Sequence, residues 1–215
     1  MPNYYHKLIL LLLKFFIHLH NFSYQQISRL APMAEKGVHP KHRLTRYDLF
    51  FLKHIQPSDR ILDLGCGNGS LAAALGRKAR FVLALDNNPR QIAAAREKHA
   101  APNVEYRIAD ITIALPRKNF DAIILSNVLE HIDDRVSFLK KISERALKIL
   151  IRVPLLDRGW LALYKKELRL PWRLDPTHYT EYTLNTLKKE LSKAGLILKK
   201  YSIQYGELWG VITKT

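Results

Sequence analysis

The chain has one cysteine, Cys66, in 215 residues, so it can form no internal disulfide. That fits a reducing cytoplasm. Acids are scarce: 19 Asp and Glu stand against 35 Lys and Arg, a formal net charge of +16. Such an excess bears on partners and not on fold. Nucleic acid, an anionic membrane or an acidic substrate would meet it, and a solvated basic surface would need no partner. Long apolar runs are missing too. Residues 8–17 are the most apolar stretch, yet they contain Lys14 and reach His18 almost at once, short of the roughly 20 apolar residues of a spanning helix. The following Asn21-Phe-Ser-Tyr offers no small-residue cleavage site for a signal peptidase. No internal repeat or low-complexity tract stands out.

What is present centres on residues 60–70, Arg-Ile-Leu-Asp-Leu-Gly-Cys-Gly-Asn-Gly-Ser. Ile61, Leu62 and Leu64 read as a strand buried in a parallel sheet. Glycines at 65, 67 and 69 follow, and Ser70-Leu-Ala-Ala-Ala-Leu opens a helix. Strand, glycine turn and helix form the nucleotide-binding entry of a doubly wound fold. The spacing is G-x-G-x-G with Ser70 next, which departs from the dinucleotide pattern and counts against a dehydrogenase. No Lys-Ser/Thr follows, so this is not a phosphate loop. The carboxylate of Asp63, two places before the first glycine, suits a ligand with a cationic, zwitterionic end.

Further strands are expected at 81–86, 104–108, 120–125 and 147–153, with helices between them; Asn88-Pro89 caps one such helix. A helix over 184–194 ends at Gly195, and 196–203 with 208–213 reads as a hairpin around Gly206. Upstream, 31–43 reads as a linker or gate and 45–55 as a helix stopped by Pro57. Each polar candidate falls at a strand's carboxyl end, where ligands bind in open α/β sheets. Asp86 lies 21 positions after Gly65, where the doubly wound fold places the acid that meets ribose hydroxyls.

Asp63-Leu-Gly-Cys-Gly-Asn-Gly69 closely resembles motif I of the class I S-adenosylmethionine-dependent methyltransferases. Asp86 is similar to that family's motif II. Ser126-Asn127-Val128-Leu129-Glu130-His131 resembles its motif IV with a Leu-Glu-His ending, and Asp175-Pro-Thr-His178-Tyr-Thr is similar to the segment before its last helix. The resemblance covers about residues 44–215 and implies an α/β, Rossmann-like doubly wound sheet of seven strands. It would be mostly parallel with the last strand antiparallel and helices on both faces. The implied cofactor is S-adenosyl-L-methionine. Asp63, Gly65, Cys66, Gly67 and Asn68 would form the turn under its amino-acid tail. Asp86 and Asn87 would meet the ribose, and Asp110 and Ile111 the adenine. Ser126, Asn127 and Val128 would wall the methionine end, with Arg43 on its carboxylate.

Methyl transfer needs a base only if the acceptor must lose a proton. His131 and His178 are the candidates, since imidazole titrates near neutrality. Glu130 and His131 could instead cap the next helix or meet the cofactor's amino group, and His178 could be a hydrogen-bonded turn residue. No cluster has recognisable metal-ligand spacing, so no metal is expected.

The chain thus divides into an apolar and basic extension with a gate, 1–43, and a methyltransferase domain, 44–215. That domain carries a basic amphipathic insertion at 154–175. Within it, positions 158–173 hold five Lys and Arg (158, 165, 166, 169, 173) against one acid, Glu167, while Trp160, Leu161, Tyr164 and Leu168 recur at near-helical spacing. It reads either as a membrane-surface element or as a substrate lid. The 8–17 run reads either as an interfacial helix or as a buried cap over the site. The expected activity is transfer of a methyl group to a small-molecule, glycan or lipid-linked acceptor, oxygen favoured, in the cytoplasm and at a membrane surface. The alternatives are a nucleic-acid methyltransferase and a non-catalytic S-adenosylmethionine-binding protein. Against nucleic acid, Ser-Asn-Val-Leu stands where an Asn-Pro-Pro-Tyr motif would be, and no RNA-binding module is appended.

Overall fold

A computed structural model describes residues 2–35, 39–117 and 119–215. In chain order the elements are α1 (Pro2–Ala34), α2 (Pro40–Thr45), α3 (Tyr47–Lys53), β1 (Arg60–Leu64), α4 (Ser70–Gly76), β2 (Phe81–Asp86), α5 (Pro89–Lys98) and β3 (Val104–Ile108). There follow β4 (Phe120–Ser126), a 3-10 turn (Leu129–His131), α6 (Arg135–Ser143), β5 (Ala146–Pro154), α7 (Trp160–Glu167), α8 (Leu184–Lys193), β6 (Leu196–Gln204) and β7 (Glu207–Lys214). They form two compact units: 1–46 with 159–173, and 47–158 with 174–215.

The larger unit is one seven-stranded sheet in the order β3-β2-β1-β4-β5-β7-β6. The strands from β1 to β5 pair in parallel, and β7 runs antiparallel to both its neighbours. Alternation along β1 sends Ile61 to one core, with Phe51, Leu71 and Ile92. Leu62 and Leu64 go to the other, with Phe138, Leu187 and Leu191. Helices therefore cover both faces, and the central strands can be apolar throughout. The chain leaves β1 toward β2 and β3 on one side and returns to β4 on the other. That reversal opens a crevice at the carboxyl ends of β1 and β4.

Local chemistry sets the helix starts. Asn88 Oδ1 accepts from the amides of Arg90 and Gln91 at 3.0 and 3.4 Å, with Pro89 in the first helical position of α5. Asp134 caps α6, and Thr183 with Thr186 forms a capping box on α8. The two-residue turn Tyr205-Gly206, with both φ positive, closes the β6–β7 hairpin.

Two segments depart from the sequence reading. The helix expected over 45–55 is interrupted at Arg46, whose φ of +46° ends α2 before α3 begins. The expected linker is largely helical: α1 continues through Pro32, and Pro40 starts α2 with His39 as its cap. Gly37 lies outside the described residues.

The smaller unit contains α1, α2 and α7. Leu10, Leu13, Ile17 and Asn21 form the less exposed stripe of α1. Lys165 on α7 donates to Asn21 Oδ1 at 2.6 Å, and Asn21 Nδ2 donates to the carbonyl of Pro171 at 2.9 Å. Fourteen large apolar side chains of α1 remain exposed, among them Leu8, Leu11, Phe15, Phe16 and Phe22. No described helix is long and apolar enough to cross a membrane.

Candidate active site

The turn after β1 is held from behind and open in front. The amides of Gly65 and Cys66 both donate to the carbonyl of Leu85, at 2.8 and 3.0 Å. Gly65 has φ +70°, and a Cβ there would sit 2.6 Å from a Val128 methyl. Gly67, with φ +54°, faces open space: nothing lies within 4 Å of where its Cβ would be. Its amide donates to Asp86 Oδ2 at 2.8 Å, and the amide of Asn88 donates to Asp86 Oδ1 at 2.8 Å. The Asp86 carboxylate thus ties two turns together at the crevice and still has lone pairs to offer.

A cavity of about 300 Å³ lies at these carboxyl ends. Gly65 follows β1, Asp86 and Asn87 end β2, Asp110 and Ile111 follow β3, and Asn127, Val128 and His131 follow β4; all of them line it. Ala109, Thr112 and Ile132 complete the lining. Asp110 Oδ1 accepts from the amide and the hydroxyl of Thr112, at 2.8 and 2.6 Å. These hydrogen bonds hold its carboxyl below the usual range.

Asp63 is buried beneath the turn. Burial, with the Asp86 charge added, raises its carboxyl to about 7. Its Oδ2 and the Oδ1 of Asn127 are buried and have no hydrogen-bond partner among the described residues. Orphaned buried acceptors are costly unless something donates to them.

His131 stands on the 3-10 turn after β4. Its Nδ1 is 2.9 Å from Thr177 Oγ1, and the Thr177 hydroxyl donates to Asp175 Oδ1 at 2.7 Å. The His178 ring meets the His131 ring edge-on, with centroids 4.6 Å apart. His178 Nδ1 lies 3.1 Å from Glu181 Oε1, and Arg158 and the Leu174 amide also donate to Glu181. Burial, and then the neighbouring His178, hold the His131 imidazole below its ordinary range. The segment carrying His178 is fixed to the core where the amide of Tyr179 donates to the carbonyl of Glu130 at 2.9 Å.

The remaining sequence candidates are engaged locally. Arg43 is in the smaller unit and pairs with Glu35 at 2.9 Å. Asn68 Oδ1 accepts from the amide of Ser70 at 3.2 Å and so serves the start of α4. Cys66 is buried, its thiol pushed far up by burial and by the Asp63 and Asp86 carboxylates, which keeps it a neutral packing group. Ser126 ends β4 in register with Arg152 and is not part of the lining. Glu130, His131 and His178 bring ligand atoms within 4.8 Å of one another, an arrangement able to hold a cation. Sequence spacing hides it, because 47 positions separate two of its members. Thr177 and Asp175 were also missed as a pair. Their signal is a repeated Asp-x-Thr: Asp110/Thr112 and Asp175/Thr177 make the same turn, each Asp accepting from both the amide and the hydroxyl of its Thr.

The methyltransferase-domain family profile matches residues 62–149, from β1 into β5. That segment is a methyltransferase domain of the class I S-adenosylmethionine-dependent kind. Ubiquinone biosynthesis O-methyltransferase of Rhodopseudomonas palustris (strain BisB5) is 29% identical over 154 residues, 66% of this chain and 60% of that protein. The enzyme of the same name from Bradyrhizobium diazoefficiens is 33% identical over 143 residues, 62% of this chain and 55% of that protein. The chain therefore spans little more than half the length of these curated relatives. Magnesium protoporphyrin IX methyltransferase from Synechocystis PCC 6803, solved with bound SAH, shares the fold with a TM-score of 0.65 at 17% identity. That match covers 85% of this chain and 87% of that one.

S-adenosylmethionine is the cofactor of this family, and the methyltransferase site here fits it. A Cβ on Gly67 would occupy the open face of the turn. The unpartnered oxygens of Asp63 and Asn127 suit the ammonium end of an amino acid, and the Asp86 carboxylate suits a diol.

Proposed function

We propose that the domain transfers a methyl group from S-adenosylmethionine to an oxygen of a small-molecule acceptor, with His131 accepting the acceptor's proton. The observation that carries this reading is His131 itself. It lines the same cavity as Asp86 and Asp110, and burial, with the neighbouring His178, holds its imidazole below the ordinary range, which favours the neutral ring that can accept a proton. When bound, the cofactor supplies an activated methyl on a sulfonium centre, and the protein contributes orientation. Asp86 would hold the ribose hydroxyls, Asp110 and Ile111 the adenine, and Asp63 and Asn127 the ammonium. The wall of Val128 and Ile132 would exclude water beside His131. An oxygen acceptor is favoured because a hydroxyl must shed a proton as it is methylated, which gives a neutral imidazole a task. Relatives named as O-methyltransferases support the same choice. The test is transfer of labelled methyl from S-adenosylmethionine into separated lipid, glycan, quinone and tRNA fractions. Label on oxygen in a small-molecule or lipid fraction supports the reading. Label in tRNA, or none anywhere, overturns it.

A second reading concerns where the chain works. We infer that the smaller unit lies on an anionic membrane surface. It holds eleven Lys and Arg against two acids within 61 residues, more than half of the chain's net +16. Those charges accompany the exposed apolar side chains of α1 and an exposed Trp160 on α7. Apolar surface with cations at its margin is the composition of an interfacial element, with about 1 kcal/mol per cation near the surface. Flotation with phosphatidylglycerol vesicles should carry the full chain upward, and pure phosphatidylcholine much less. Equal flotation with both lipids, or with neither, would remove this inference.

A further inference from the structure

We propose that Thr177 and Asp175 are positioning residues that fix the tautomer of His131, with Nδ1 protonated and Nε2 carrying the free lone pair. Three observations carry the proposal. Thr177 Oγ1 lies 2.7 Å from Asp175 Oδ1 and 2.9 Å from His131 Nδ1. The amide of Thr177 donates to the same Asp175 oxygen at 2.8 Å, which locks the threonine over the carboxylate. His131 lines the cavity.

The protons available to the three groups set the tautomer. An ionised Asp can only accept, and a threonine hydroxyl has one proton to give. At 2.7 Å from a carboxylate oxygen that proton belongs to the Asp175 bond, because two bare oxygens at that distance repel. Thr177 Oγ1 then faces His131 with lone pairs alone. The contact at 2.9 Å therefore needs a proton on Nδ1. A neutral imidazole holds one ring proton, so Nε2 has none and can accept one. Free histidine in water prefers the opposite tautomer, which means the chain of Asp175, Thr177 and His131 works against the intrinsic preference. A hydrogen bond of this kind contributes about 0.5–1.5 kcal/mol, enough to change a tautomer ratio about two- to tenfold. His178 lies on the same ring from another side, and its own Nδ1 is engaged by Glu181, so it does not compete for Thr177.

This inference rests on the reading of His131 as the proton acceptor, and the experiment separates the two. The full chain, labelled with nitrogen-15, would be observed by two-bond proton–nitrogen correlation of its imidazoles at a pH above their titration, without substrate. His131→Gln assigns the signal by its disappearance. The expected pattern is a protonated Nδ1 and a bare Nε2. Thr177→Val should shift the ring toward protonated Nε2, and Thr177→Ser should restore the original pattern. A His131 ring protonated at Nε2 in the unaltered protein, or one unchanged in Thr177→Val, would overturn the proposal. In the labelled-methyl assay Thr177→Val should lower kcat about two- to tenfold with KM unchanged, and Thr177→Ser should recover it. If the tautomer behaves as stated while His131→Gln still turns over normally, the base assignment fails and the positioning chain stands.

Discussion

Asp86→Ala separates the two tasks that the geometry gives this carboxylate. In the protein alone it accepts from the amides of Gly67 and Asn88, each at 2.8 Å. In the complex it would also accept from ribose hydroxyls. A hydrogen bond to a charged group contributes about 1.5–3 kcal/mol. Losing one such bond, or two imperfect ones, should weaken S-adenosylmethionine binding by about 2–4 kcal/mol, roughly 30- to 1000-fold in Kd. Freeing two amides that water reaches in part should lower stability by about 1–2 kcal/mol, or a few degrees in Tm for a domain of this size. Titration calorimetry reads the first effect and thermal melting the second. A 2′,3′-dideoxy analogue of the cofactor closes the cycle: it should lose affinity for the unaltered protein and little more for the variant. The reasoning is refuted if Asp86→Ala lowers Tm while Kd stays within twofold. That result would leave Asp86 a staple between two turns and nothing else.

Three further outcomes follow from the same site. Gly65→Ala should abolish cofactor binding, because its Cβ would meet Val128 at 2.6 Å in a φ of +70°. Adding Val128→Ala should relieve the clash but leave about 1–2 kcal/mol of backbone strain, a partial rescue that calorimetry can resolve. Asp63 has a folded pKa of about 7 against an unfolded value near 3.8. The native state therefore binds the extra proton between those values, and stability should fall as pH rises from about 4 to 7 and then level off. Asp63→Asn should flatten that slope in denaturant titrations, and binding of the cationic cofactor near pH 7 should release a proton, seen as a buffer-dependent heat. Finally, His131→Gln should lower turnover about 100- to 10,000-fold. The unaltered enzyme's rate should rise with pH through a midpoint below that of an ordinary imidazole and then hold level, as a base that must be unprotonated requires; a midpoint above that of an ordinary imidazole would contradict the role.

Much of the fold is legible because its signals are local. Ile61, Leu62 and Leu64 announce a buried strand, and Asn88-Pro89 announces a helix start within four residues. The order of chain segments then fixes where the strands' carboxyl ends converge, and Asp86, Asp110 and Asn127 lie at or just beyond those ends in the sequence. What the sequence concealed is long-range or conformational. The break at Arg46 depends on a left-handed backbone that a non-glycine residue rarely adopts. Asn21 looks like the end of an apolar run, yet its contact with Lys165 lies 144 positions away, and α1 continues well past it. The link between His131 and Thr177 spans 46 positions and exists only once the segment before α8 packs beside the 3-10 turn.

The central claim is that the crevice between β1 and β4 takes S-adenosylmethionine. Titration calorimetry on the unaltered chain at pH 7.5 tests it directly. The account predicts one saturable site for S-adenosylmethionine and no heat with NAD. A folded chain that binds neither, or that binds NAD in preference, would contradict it.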